Sequence, residues 1–439
     1  MISPEYISYV TIAMFGGLVL LLIMGLPLAF CLSGIAIVAS ILLMGIDSTL
    51  VIIYNFVGQA WNEVFIAIPM FVLMGSLLEK SGIADDLFTA MYCWFGSLRG
   101  GLAVGTIIIC AIFAAMTGVT GAATVTMGLI ALPAMLKRKY QRSIALGTIG
   151  AAGTLGILIP PSVSMVLIGA IAQISIGKLF MGGFGPGILL ALLMIAYVLV
   201  RSWIQPDLCP GSDEKHSFKE KIVLIKTILP PGLLIFVVTG SIILGIATPT
   251  EASALGAAAT LIMVMLNRKV FSWALFKQVT LATTLISGMV MWIVFGAVSF
   301  GSLYTGIGGM ELTKNLIVGA TENRWVALAI IYAILFFLGC FLDPTGIIFI
   351  VAPVAYPIIR TFEFDPIWFG VVFVILLQVG YITPPFGFNL FYLKATAPPG
   401  ITLSHIYNSS WPFVAIFMIG VVICTIFPEI VLWLVNITM

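Results

Sequence analysis

Charge is what this sequence has least of. Only 8% of its 439 residues are Asp, Glu, Lys or Arg, against about 25% in soluble domains. With 61% hydrophobic residues, a chain of this length cannot cover its apolar surface in water, and a soluble fold is excluded. Histidine is nearly absent. His216 and His405 stand far apart in polar connections, which excludes a histidine-based metal or nucleophile site. The six cysteines form no CxxC pair and fall mostly inside apolar runs, where cysteine acts as a small hydrophobe. No GxGD, GxSxG or HExxH motif is present, so an intramembrane enzyme is not expected. The net charge of +2 gives no reason to expect a nucleic-acid partner. The N-terminus lacks a basic region and a small-residue cleavage site, so the first span reads as retained.

What is present is a series of apolar runs of membrane-spanning length. Residues 6–24, 28–46, 184–200, 227–246, 325–342 and 411–435 are clear cases. They are continuous and do not alternate, so lipid permits them only as helices. The fold class expected is an all-α polytopic membrane protein, of about ten spans plus re-entrant pieces, with the lipid bilayer as its solvent.

Two of the four Pro-Pro pairs sit in matching contexts. Gly156-Ile-Leu-Ile-Pro-Pro161 reads against Gly380-Tyr-Ile-Thr-Pro-Pro385, at an offset of 224. The same offset sets Pro133 on Pro357, Phe113 on Phe337, Phe71 on Phe295 and Ser81-Gly82-Ile83 on Thr305-Gly306-Ile307. Near the start it is 222, with Pro27 on Pro249, and near the end 226–227, with Ile174–Phe180 on Ile401–Tyr407. An ordered series with small indels points to an internal repeat, 1–203 and 226–439, joined by a connector at 204–225.

In the first copy the spans read as 6–24, 28–46, 62–78, 142–172 and 184–203, with 48–61 as an arm along the interface. Residues 102–136 form a re-entrant hairpin broken at Thr117–Gly121, and 142–172 is a broken helix. The second copy repeats the hairpin at about 325–361 and the broken helix at about 366–396. Five spans per copy force the copies into opposite orientations. Inverted repeats with discontinuous helices are a transporter signature, with the site at the midplane between the copies.

Positive residues gather on the cytoplasmic side of membrane proteins. If the base of the first hairpin is inside, only Lys178, Lys314, Arg324 and Arg360 fall outside and Lys394 is indeterminate, leaving 14 of the 19 basic residues inside. Both termini are then periplasmic. The connector, with mixed charges, reads as a solvated cytoplasmic loop.

The chemistry lies in the irregular segments. The tips Thr117–Thr124 and Gly339–Gly346 carry small and hydroxyl residues between apolar runs. Such backbone survives at membrane depth only where it lines a cavity or site. The breaks Gly153–Ser162 and Gln378–Pro385 face them, because Gly followed by Pro-Pro interrupts the helical ladder. Unwound carbonyls and hydroxyls are hard oxygen ligands suited to Na⁺, and a helix restarting after each break favours an anion. One tip and one break per copy suffice for one cation site each, hence two coupling sodium ions. The candidate sodium residues are Thr117, Gly118, Thr120, Gly121, Gly153 and Gly156 in the first copy. In the second they are Cys340, Asp343, Thr345, Gly346, Gly380 and Thr383. Thr154, Ser162, Gln378 and Asn389 are the candidate substrate contacts. Asp343, Glu251 and Glu63 are the notable acids, since an ionisable group at depth is functional by default. Asp343 aligns with Val119, so the two tips are not equivalent.

At these tips and breaks the chain resembles the large membrane subunit of tripartite ATP-independent periplasmic (TRAP) transporters, the DctM family. The most specific segments are Gly150-Ala-Ala-Gly-Thr-Leu-Gly-Ile-Leu-Ile-Pro-Pro-Ser162 and Gln378-Val-Gly-Tyr-Ile-Thr-Pro-Pro-Phe-Gly-Phe-Asn389, and the likeness covers essentially the full length. The resemblance implies an inner-membrane importer of organic acids, such as a C4-dicarboxylate or a sialic acid, driven by Na⁺. It implies an elevator-like transport domain sliding against a scaffold. It also implies a small four-helix DctQ-type subunit and a periplasmic DctP-type binding protein. Because the chain opens at the large subunit's first span, the small subunit is expected as a separate chain. The resemblance places the sodium ligands among Thr117–Gly121 with Gly153–Gly156, and among Cys340–Gly346 with Gly380–Thr383.

Two other classes remain to be weighed. A channel has no need of two diverged broken-helix hairpins. A self-sufficient sodium–dicarboxylate symporter of similar hairpin architecture is the closest competitor, distinguished by whether uptake needs the binding protein.

Overall fold

Apolar residues recur without polar interruption through most of the chain, and that pattern yields helices that are apolar on every face, as burial in protein or lipid requires. The computed structural model describes residues 4–118, 120–211, 217–268 and 272–438; Val119, Lys215, His216 and Lys269 lie outside them. The described residues form twenty α-helices and no strand. The first ten are α1 (Pro4–Ile23), α2 (Leu28–Met44), α3 (Thr49–Ala60), α4 (Ala67–Lys80), α5 (Ile83–Phe95), α6 (Gly101–Thr117), α7 (Thr120–Lys137), α8 (Arg142–Ala152), α9 (Val163–Ala172) and α10 (Ile176–Ile204). The others are α11 (Phe218–Ile243), α12 (Pro249–Arg268), α13 (Trp273–Gly306), α14 (Gly309–Ala320), α15 (Arg324–Gly339), α16 (Pro344–Thr361), α17 (Pro366–Tyr381), α18 (Phe388–Thr396), α19 (Leu403–Ile426) and α20 (Glu429–Ile437).

Seven of the described helices, α1, α7, α10, α12, α13, α16 and α19, are long and apolar enough to cross a membrane. Several others are apolar but shorter, because a break interrupts them. Exposed leucine, isoleucine and phenylalanine run along α1, α2, α11, α12 and α13, which in water would be an aggregation surface and in lipid is the expected coat. By contrast α17 is buried on all sides from Ile367 to Gly380. It packs against α9, α10, α15, α16 and α19 and forms the central rod.

Helix boundaries follow the offset of 224 with two exchanges of continuity. Residues 49–80 form α3 and α4, bent by 56° across the stretch between them; the corresponding residues form the single helix α13. Conversely α10 is unbroken, whereas its counterpart divides into α19 and α20. As the continuous apolar run at 227–246 implies, α11 runs through the Pro230-Pro231 pair. One expectation needs correction. The connector is not wholly a solvated loop: Gly100 N–H donates to the Cys209 carbonyl, Gln141 N–H donates to the Leu208 carbonyl, and Cys209 is fully buried. Its first residues are thus clipped onto the base of α6 and the turn before α8.

Candidate functional site

The first tip joins α6 to α7. Thr117 ends α6 with its hydroxyl donating to the Phe113 carbonyl at 3.0 Å. Gly118 then takes φ +65°, and a Cβ there would lie 2.6 Å from the Pro161 carbonyl oxygen. Only glycine combines that left-handed backbone with so close an approach. The Gly118 carbonyl accepts from Val163 N–H at 3.3 Å, so the tip is bonded to the residue that starts α9 beyond the first Pro-Pro pair. Thr120 opens α7, and Thr117, Thr120 and Thr124 are all buried.

The first break is built from α8, a 3-10 turn at Gly153–Ile157, a bent stretch at 159–161 and an extended Ser162. Ser162 is the N-cap of α9: its oxygen accepts from Met165 N–H at 3.3 Å, and its hydroxyl donates to the Ile157 carbonyl. That is the ordinary work of a capping serine. Gly153 packs against Thr124 of α7, and Thr154 donates to the Ala151 carbonyl at 2.7 Å.

The second tip mirrors the first with different chemistry. Asp343 caps α16, accepting from Thr345 N–H at 3.0 Å ahead of Pro344, a favoured arrangement at a helix start. The Cys340 carbonyl accepts from Phe386 N–H at 3.4 Å, beyond the second Pro-Pro pair. A Cβ on Gly380 would lie 2.6 Å from the Gly339 Cα, so α15 and α17 meet backbone to backbone where both end. Thr383 donates to the Val379 carbonyl at 2.7 Å. Both Pro-Pro peptide bonds, 160–161 and 384–385, are cis.

Two carboxamides of the second copy tie these parts to the first. Gln378 Nε2 donates to the Thr154 carbonyl at 2.8 Å. Asn389 Nδ2 donates to the Gly150 carbonyl at 2.6 Å, while Asn389 Oδ1 accepts from the Thr124 hydroxyl at 2.8 Å. Both side chains are fully buried. The Asn389 amide is engaged at both ends, whereas Gln378 Oε1 is buried without a partner. Among the described residues no three His, Cys, Asp or Glu side chains gather as metal ligands. The donors at hand for a cation are therefore main-chain carbonyls, hydroxyls, the Gln378 Oε1 and, at the second tip, the Asp343 carboxylate, a hard set.

The remaining acids are placed elsewhere. Glu63 is exposed, and its carbonyl accepts from Thr250 Oγ1 at 3.2 Å. Glu251 is exposed too and accepts from Thr248 N–H and hydroxyl at 2.8 and 2.9 Å, a helix-start contact. His405 is the third residue of α19 and completes a capping box with Thr402, so it belongs to a helix and not to a polar connection. Sequence reasoning passed over Tyr381 and Tyr392. Tyr381 meets Thr120 and faces Asp343 and Tyr392, and the Tyr392 ring lies 3.3 Å from the Cβ position of Gly121. A phenol in a helix as apolar as α17 was the available signal, since a buried tyrosine hydroxyl needs a partner.

The description "Tripartite ATP-independent periplasmic transporter, DctM component" matches residues 15–430. The chain belongs to the DctM family. It is thus a multi-pass inner-membrane protein and the large permease component of a TRAP transporter. Among its relatives is the C4-dicarboxylate TRAP transporter large permease protein DctM of Pseudomonas aeruginosa, 31% identical over 402 residues, covering 90% of this chain and 92% of the relative. The ectoine/5-hydroxyectoine TRAP transporter large permease protein UehC of Ruegeria pomeroyi is 29% identical over 427 residues, 95% of this chain and 96% of the relative. The solved YdaH transporter of Alcanivorax borkumensis shares the fold, with a TM-score of 0.62 over 95% of this chain and 98% of that one, at 14% identity. The DctM-family relatives thus carry names with different solutes, and membership alone does not choose among them.

Proposed function

We propose that this DctM-family permease imports an organic acid by sodium symport, receiving it from a periplasmic binding protein and working with a small membrane subunit. The observation that supports the reading most is the pairing of each tip with one break, Gly118 with Val163 and Cys340 with Phe386. Each pairing gathers unwound main-chain oxygens beside a new helix N-terminus. Sodium takes such oxygens; the helix start takes an anion. The substrate contacts proposed are Thr154, Ser162, Gln378 and Asn389, with Gln378 Oε1 as the acceptor left over. The sodium ligands proposed lie at the two tips and in the breaks facing them.

The tips and breaks form one transport body that moves as an elevator against the helices around α2, α12 and α13. The two copies are inverted, with the hairpin base cytoplasmic and both termini periplasmic. One charge crossing 100 mV contributes about 2.3 kcal/mol, so two Na⁺ with a monoanion draw on the membrane potential as well as the sodium gradient.

The test is uptake by proteoliposomes containing this chain with its small subunit and the cognate binding protein. Uptake that requires an inward sodium gradient and the binding protein is the expected result. Sodium-independent uptake would overturn the coupling, and uptake by this chain alone would favour a self-sufficient symporter.

A further inference from the structure

To one side of the tips, α3, α9, α13 and α16 line an open cavity of about 650 Å³, within the range of small-molecule sites. Its polar groups are neutral: the carboxamides of Gln59 and Gln173 and the hydroxyls of Ser302 and Thr305. Gln173 stands at φ +53°, the left-handed residue that ends α9. The wall supplied by α13 runs from Ala297 to Gly306, a rise of about 14 Å.

The inner end of that wall lies close to the second tip. A Cβ on Gly296 would sit 2.6 Å from the Ala29 carbonyl oxygen, so α2 and α13 touch at the level where the cavity begins. Leu28, the residue before Ala29, rests on the tip itself. A Cβ on Gly346 would lie 2.0 Å from Leu28 Cδ2. The leucine methyl therefore fills the space beside Gly346, one helical turn before Phe349, the α16 residue at the near end of the cavity wall.

We propose that this cavity is an outer-face vestibule for a small organic solute, and that Leu28 is the apolar plug closing its floor over the second hairpin tip. The inference rests on the orientation and tip assignment given under Proposed function. Carboxamides and hydroxyls offer hydrogen bonds to a carboxylate or an amide without a countercharge to hold it. Such a lining suits passage. Leu28 offers no donor or acceptor, and a polar solute reaches Gly346 only when α2 and the tip separate.

The experiment places Ser302→Cys or Thr345→Cys in the full chain, with and without Leu28→Ala, in sealed vesicles of known orientation. The probe is a membrane-impermeant methanethiosulfonate reagent bearing a sulfonate, scored above the parent chain's own six cysteines. Ser302→Cys is expected to react from the outer face. Thr345→Cys is expected to react from that face roughly tenfold faster once Leu28→Ala removes the plug, the change that about 1.4 kcal/mol produces. Phe349→Cys, also in the cavity wall, serves as a second reporter if Ser302→Cys fails to insert. Labelling from the inner face alone, no labelling of either cavity reporter, or a Thr345→Cys rate indifferent to Leu28→Ala would each overturn the proposal. Labelling needs neither sodium nor partner. Sodium-independent uptake alongside outer-face labelling would sink the coupling mechanism and leave the vestibule standing.

Discussion

Gln378 donates a hydrogen bond to the main-chain carbonyl of Thr154, 224 residues before it. That separation equals the offset of the internal repeat, so the bond joins a residue to its counterpart in the other copy. A side chain from one break thereby holds the backbone of the other, at the place where the two copies meet.

Gln378→Leu keeps the volume and removes the donor. It removes the side-chain bond to the Thr154 carbonyl, which sits within the 3-10 turn Gly153–Ile157, a loss of about 0.5–1.5 kcal/mol. The expected outcome is a lower unfolding temperature of the purified protein and reduced uptake. An unchanged melting temperature would show that the bond carries no stability.

Gly380→Ala forces a methyl into the backbone of Gly339. Overpacking of this kind costs about 1–3 kcal/mol, and here it also parts α15 from α17 at the second break. Gly319 is a fitting control, because a Cβ there meets nothing within 4 Å. Uptake is expected to fall with Gly380→Ala and persist with Gly319→Ala. Equal behaviour of the two variants would remove the close contact from the mechanism.

Gly121→Leu and Gly346→Leu insert bulk at the first and second tips, against Tyr392 and Leu28 respectively. Both are expected to abolish sodium-dependent uptake while the protein still reaches the membrane, read by surface labelling and transport in the same vesicles. Normal uptake by either variant takes that tip out of the site.

Burial pushes the Cys209 thiol up to about 11, with Arg201 opposing the shift. The folded connector then keeps its proton where the unfolded chain, near 9, has lost it. The clip's contribution is full below pH 9 and declines as pH rises toward 11. Cys209 is expected to resist iodoacetamide at pH 8 until the connector is unfolded. Rapid alkylation of the native protein would show that the connector does not stay clipped.

The breaks at Pro160 and Pro384 were legible because proline removes a donor and a glycine precedes each pair by four residues. At Pro230-Pro231 no glycine stands four residues before the pair, and α11 continues through it. α5 escaped notice because Asp85 and Asp86 interrupt an apolar run already too short to span. The clipping of Leu208 and Cys209 depends on Gln141 and Gly100 respectively, and no local pattern encodes partners so far apart in sequence. The substrate candidates were chosen by their position beside the breaks. What position did not reveal is that Asn389 satisfies both ends of its amide on the other copy.

The exchange of continuity between the copies has a mechanical meaning. α13 has 34 residues and is about 51 Å long, while the hydrocarbon layer is about 30 Å thick. A rod of that length lies aslant or drives its ends into the headgroups on both sides. Its counterpart spreads the same residues over two shorter pieces at an angle. One flank of the protein thus behaves as a stiff strut that feels the thickness of its lipid, and the other as an elbow that yields to it. Reconstitution in bilayers of graded acyl-chain length is therefore expected to change the transport rate, with the strut setting the preferred thickness.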